Sequence, residues 1–103
     1  MENQVIGVLM KVVQSNVMKI QVLLFAQLRD LAGTGAMNIE LEGMNTINDL
    51  VAYVCSKFDQ NSALVSALND KALMVSVNQK IAKRTDTLKN LDEVGFLPPV
   101  SGG

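Results

Sequence analysis

The sequence predicts an α+β fold in which one long amphipathic helix lies across a mixed sheet of four or five strands. Three observations predict it. The chain has 103 residues, enough for one domain with a modest core and not for two. It is 49% hydrophobic and 18% charged, the balance of a folded chain and not of a disordered one. The apolar spacing also changes along the chain: period two in several short runs, and a sustained helical period in one.

The elements follow in order. From Met18, Lys19-Ile20-Gln21-Val22-Leu23-Leu24-Phe25 alternates and then runs continuously apolar, as in a buried strand. Ala26 to Ala32 sets Leu28 and Leu31 on one side of a short helical turn, which Gly33-Thr34-Gly35 ends. Met37-Asn38-Ile39-Glu40-Leu41 alternates as a half-buried strand, making a hairpin-like pair with the first. Ile47, Leu50, Val51, Val54 and Phe58 carry the helical spacing of the main helix. Thr46 stands at its N-cap, with Asp49 placed for a capping box. Ser62 to Leu68 reads as a second short helix and Asn69-Asp70-Lys71 as a turn. Ala72 to Val77 is a strand, Asn78-Gln79 a tight turn and Lys80-Ile81-Ala82 a short return strand. Leu88 to Asp92 turns again, Val94 to Leu97 is the last strand, and Pro98-Pro99 ends pairing because proline has no N–H. This element order is that of the β-grasp, or ubiquitin-like, fold, although strand order cannot be read from a single sequence.

Composition excludes several functions. A net charge of −1 lacks the electrostatic footprint of a nucleic-acid binder. With no histidine, the chain lacks the usual base near neutral pH and the commonest metal ligand. One cysteine forms neither an internal disulfide nor a paired redox site, and Cys55, beside the main helix's apolar stripe, reads as structural. The N-terminus opens on Glu2, and Lys11 interrupts its apolar run, so it reads as neither a secretory signal nor a membrane span. A cytoplasmic protein with a reduced thiol is expected. Residues 1–17 form an N-terminal extension whose stretch Val5 to Val13 reads as an added strand, a contact surface or a poorly ordered leader. Residues 18–97 form the β-grasp domain, and residues 98–103 a flexible tail.

The tail is where chemistry is expected. Pro98-Pro99-Val100-Ser101-Gly102-Gly103 follows directly on the last strand. Six extended residues reach roughly 20 Å. The prolines stiffen the base of such an arm and reduce the entropy lost on docking. Gly102 and Gly103 have no Cβ, so a narrow channel in another protein can close around them. A carboxylate is inert to acyl substitution until activated, for example as an acyl-adenylate, and that chemistry needs no histidine or cysteine on this chain.

Three segments carry a resemblance to a known family: Val22 to Gly33 (V-L-L-F-A-Q-L-R-D-L-A-G), Val77-Asn78-Gln79, and Asp92 to Gly103 with its F-x-P-P-V-S-G-G ending. Over Met18 to Gly103 the chain resembles the MoaD/ThiS sulfur carriers, on the molybdopterin-synthase branch. The resemblance implies that a MoeB-like adenylating enzyme uses ATP to activate Gly103. A sulfur donor then makes the thiocarboxylate, and a MoaE-like large subunit accepts the tail. There the sulfur passes to cyclic pyranopterin monophosphate, two carriers per molybdopterin. It also implies that Gly103 is the reacting group and that Pro98, Pro99, Val100, Ser101 and Gly102 thread the partner's channel. Phe25, Arg29 and Phe96 would face a partner, although the two aromatics equally fit a core role. No bound cofactor, metal, nucleic acid or membrane is implied. A ubiquitin-like modifier joined to lysines, and a carrier for thiazole or cysteine synthesis, stay open as alternatives.

Departures from the family pattern carry expectations too. Leu91 stands where glycine is common, so Asn90 is expected to take the left-handed turn position. Gly95 and Leu97 replace a common Ala and a second Phe, which would thin the contact with the large subunit. Lys80, Lys83 and Arg84 read as a solvated basic cluster, and the six methionines as core filler.

Overall fold

The computed structural model describes residues 17–99. Among them, strand β1 (Val17–Leu24) is followed by helix α1 (Gln27–Ala32), β2 (Ala36–Glu42), α2 (Ile47–Lys57), α3 (Ser62–Leu68), β3 (Met74–Val77), β4 (Lys80–Ala82) and β5 (Glu93–Leu97). The five strands form one sheet in the order β2-β1-β5-β3-β4. β1 pairs antiparallel with β2 and parallel with β5, while β3 pairs antiparallel with both β5 and β4. The expected β-grasp fold is present, with the first and last strands side by side at its centre.

Alternation decides the two faces of this sheet. Ile20, Val22, Leu24, Ile39, Leu41, Val75, Val94 and Phe96 point to the helices and are buried. They meet Ile47, Leu50, Val51 and Val54 of α2, and Leu28, Leu64 and Leu68 of the short helices. The opposite face is open. At one end it carries Lys19, Gln21, Asn38 and Glu40, paired across β1 and β2.

Local chemistry fixes the ends of α2. Thr46 Oγ1 accepts from Asp49 N at 3.1 Å, and Asp49 Oδ2 accepts from Thr46 N at 3.2 Å, the capping box the sequence predicts. Next in the chain, the N–H groups of Ile47 and Asn48 donate to the carbonyls of Asp86 and Arg84 at 3.1 and 2.9 Å. Donors left over by the helix are thus satisfied by the 84–88 loop.

Several expectations change in detail. β1 begins at Val17, one residue inside the segment assigned to the extension, because Val17 pairs with Glu42. β3 begins at Met74 and not at Ala72, since Asp70 Oδ1 accepts Ala72 N at 2.8 Å and holds 70–73 in a turn. The left-handed residue before β5 is Leu91 itself, at φ 74°, and not Asn90. Asn90 Oδ1 accepts Lys19 N at 2.8 Å while Leu91 N donates to Lys19 O at 2.7 Å. Both groups can meet Lys19 only if the chain reverses at position 91. The methionines are not plain core filler. Met18 and Met37 lie partly buried against the core, whereas Met74 is 44% exposed.

Candidate functional site

β5 leads directly into the tail. Pro98 and Pro99 are half-buried at the end of this central strand, and Val100, Ser101, Gly102 and Gly103 lie outside the described residues, as does Val5 to Val13. The site can therefore be built up to the base of the tail.

Phe25 follows β1, and its N–H continues the ladder by donating to Phe96 O at 3.3 Å. Leu24 before it points into the core, so Phe25 turns to the open face, 43% exposed. Its ring lies over Gly95: a Cβ built on Gly95 would stand 3.1 Å from Phe25 Cε2 and 4.0 Å from Leu97 Cδ1. Cross-strand pairing adds Met74 beside Leu97, and Ile81 beside Ser76. Ile81 is 70% exposed. The open face therefore divides in two: polar at the start of β1, apolar at the end from which β5 leaves for the tail. Exposed apolar side chains gathered at one end of a sheet face suit a docking surface.

Arg29, on α1 at the same end, leaves its side chain 62% exposed, and among the described residues its one ion pair is a 3.9 Å contact to Asp30. Such a pair is worth little in solvent, so the guanidinium is free to be recruited. Phe96 is different. It is fully buried, pairs with Val75 and belongs to the core, so the structure separates it from Phe25 and Arg29. Met74 and Ile81 were missed as surface residues, although the buried Leu73 and Val75 on either side put Met74 on the other face. On the helix side of the tail base, Gln27, Leu31, Ser66, Asp70, Pro98 and Pro99 line an open groove of about 400 Å³.

The remaining candidates resolve into structural roles. Arg84 Nη2 donates to the carbonyls of Leu68 and Asp70, each at 2.9 Å, and so closes the C-terminal end of α3. It thereby leaves the solvated cluster, in which Lys80 and Lys83 remain exposed. Cys55 is half-buried, and burial pushes its thiol up from the usual value, against a 3.8 Å contact from Asn69 Nδ2. A thiol held protonated is a poor nucleophile. Among the described residues no group of His, Cys, Asp and Glu could hold a metal ion, and no helix is long and apolar enough to cross a membrane.

Comparison with known proteins agrees with the fold and the tail sequence. The chain is 37% identical over 84 residues to the molybdopterin synthase sulfur carrier subunit of Escherichia coli, covering 82% of this chain and 99% of that one. It is similar to the solution structure of small archaeal modifier protein 1 from Methanosarcina acetivorans, with 27% identity and a TM-score of 0.63, over 84% of this chain and 98% of that one. A ubiquitin from Caldiarchaeum subterraneum superposes at a TM-score of 0.51 and 16% identity, over 84% of this chain and 99% of that one, a likeness of fold alone. The ThiS family matches residues 22–103, the β-grasp body and the terminal glycines together, and the chain belongs to that family.

Proposed function

We propose that this chain is the sulfur-carrying small subunit of a cytoplasmic molybdopterin synthase, with the carboxylate of Gly103 as the reacting group. The observation that carries this reading is the likeness to the Escherichia coli sulfur carrier subunit over 99% of that protein's length. A MoeB-like adenylating enzyme joins the carboxylate to AMP from ATP, releasing pyrophosphate. A sulfur donor then displaces AMP, leaving a thiocarboxylate. The MoaE-like large subunit receives the tail and passes its sulfur to cyclic pyranopterin monophosphate. The carrier supplies the reacting atom, and the partners supply acid–base groups and the pterin pocket.

The surface supports this division of labour. Leu97 ends the strand that delivers the tail, and Phe25 and Met74 lie beside it, so a partner gripping these side chains also receives the tail's base. Burial of the exposed part of such a patch favours docking at roughly 25 cal/mol per Å² of apolar surface removed from water.

Intact mass after incubation with the adenylating enzyme, ATP and a sulfur source tests the reading. The expected gain is one oxygen-to-sulfur exchange at Gly103. Deleting Gly103, or adding one residue after it, should abolish transfer while leaving the melting temperature unchanged, and full activity in either variant would sink the mechanism. A second reading, a modifier joined to lysines, has support in the likeness to small archaeal modifier protein 1. Stable high-mass conjugates on a denaturing gel, without the sulfur exchange, would favour it.

A further inference from the structure

We infer that Ser76 is a specificity-determining residue of the docking surface, its hydroxyl setting one required hydrogen bond among apolar side chains. This rests on the reading above, in which the large subunit covers the end of the sheet from which the tail leaves.

Strand alternation puts the hydroxyl there. β3 reads Met74-Val75-Ser76-Val77. Val75 is buried and Val77 packs against the core, so Met74 and Ser76 take the open face. The register then surrounds Ser76. Gly95 stands opposite it on β5 and Ile81 opposite it on β4, while Met74 and Leu97 form the next pair along that face. β5 runs on from Gly95 through Leu97 into Pro98, so a subunit that takes the tail closes over this spot.

The hydroxyl also fills a particular space. A Cβ built on Gly95 would stand 2.7 Å from Ser76 Oγ, whereas Phe25 Cε2, at 3.1 Å, would need to give only slightly. Gly95 replaces a common Ala of the family pattern. The surface therefore presents a hydroxyl where that pattern presents a methyl. Among the described residues no hydrogen bond engages this hydroxyl, and no fully buried polar side-chain atom lacks a partner, so the hydroxyl reaches water.

Docking changes that. With a partner pressed on Phe25, Met74, Ile81 and Leu97, water is excluded from Ser76. An unpaired hydroxyl then opposes binding, and a paired one strengthens it. An apolar contact accepts any apolar surface of matching shape. A hydroxyl within it distinguishes partners, favouring a large subunit that presents a polar group at this point and disfavouring one that presents only carbon.

Ser76→Ala is the test, read as affinity for the large subunit of the same organism, with the melting temperature as the control on folding. Affinity should fall about tenfold, because the partner's polar group is left unpaired. The melting temperature should not move. Against the large subunit of a relative whose carrier has alanine at the position of Gly95, the same substitution should leave affinity unchanged or raise it. Unchanged affinity for the chain's own large subunit would overturn the inference. An equal loss with both subunits, or a loss accompanied by a lower melting temperature, would overturn it as well, since the hydroxyl would then act through the carrier's own fold. No binding by the unsubstituted protein would overturn the carrier reading and this inference together.

Discussion

Asn78 Nδ2 donates to Asp92 Oδ1 at 2.9 Å, tying the β3–β4 turn to the residue just before β5. The tie is reciprocal and extended. Asn78 N donates to Glu93 O at 2.8 Å, and Glu93 N donates to Asn78 Oδ1 at 3.0 Å. Asp92 Oδ2 accepts Lys89 N at 2.8 Å, while its carbonyl accepts Gln21 N at 3.0 Å. Asn78 and Gln79, at φ 51° and 71°, make the hairpin turn whose residues favour asparagine first. Two sequence motifs quoted separately above are therefore the halves of one clamp.

Breaking that clamp should be costly, because Asp92 is 9% exposed and its donors would be left without a partner. Asp92→Ala is expected to lose about 2–3 kcal/mol, and Asn78→Ala about 1–2 kcal/mol, in urea unfolding. Their double mutant should fall short of the sum by about 1 kcal/mol, since they share one network. Strict additivity would show that the two residues act independently.

Leu91 should respond in the opposite direction. It holds φ 74° and leaves 74% of its surface exposed, so it bears a left-handed backbone and buries little in return. Leu91→Gly relieves that strain against a greater loss of chain entropy on folding, a net gain of up to about 1 kcal/mol. Leu91→Val, β-branched at the same φ, should lose stability. Chemical denaturation of the pair decides the sign.

The capping box predicts a pH dependence. Hydrogen bonds from the backbone and side chain of Thr46, and then from the Asn45 backbone, hold the Asp49 carboxyl below its usual range. A depressed folded value means that its stabilisation is fully present above the unfolded value and fades as pH falls through the folded one. Asp49→Asn should therefore melt lower than the unsubstituted protein at pH 7, and the gap should close on acidification below about pH 4. A constant gap across that range would remove the charge from the explanation.

Cys55 offers a control for where sulfur travels. Burial raises its thiol, so it stays protonated at neutral pH and should react with iodoacetamide far more slowly than free cysteine. Cys55→Ala should load sulfur as fully as the unsubstituted chain, read by intact mass. Loss of loading in that variant would place the sulfur on the side chain.

The legible parts of the fold were those with local causes. α2 and its capping box follow from spacing and from two residues three apart, and the Asn78-Gln79 turn from its own chemistry. The parallel pairing of β1 with β5 has no such cause, because Gln21 and Glu93 are joined through the whole chain and not by a turn. At the candidate site, residue type could not separate Phe25 from Phe96. Val22 to Phe25 and Val94 to Leu97 run apolar nearly without interruption, so the phase of alternation is hidden until a neighbour shows which face holds the helices. The approach of the Phe25 ring to Gly95 is likewise invisible in sequence, because it joins residues of two strands far apart in the chain.

The position of β5 between β1 and β3 also has a mechanical meaning. A pull on the chain beyond Pro99 runs along a strand held by ladders on both sides, one parallel and one antiparallel. Such a load shears many hydrogen bonds at once instead of peeling them singly from an edge. A partner that draws the tail inward therefore hauls the entire body with it, like a cable spliced into the keel and not tied to the rail.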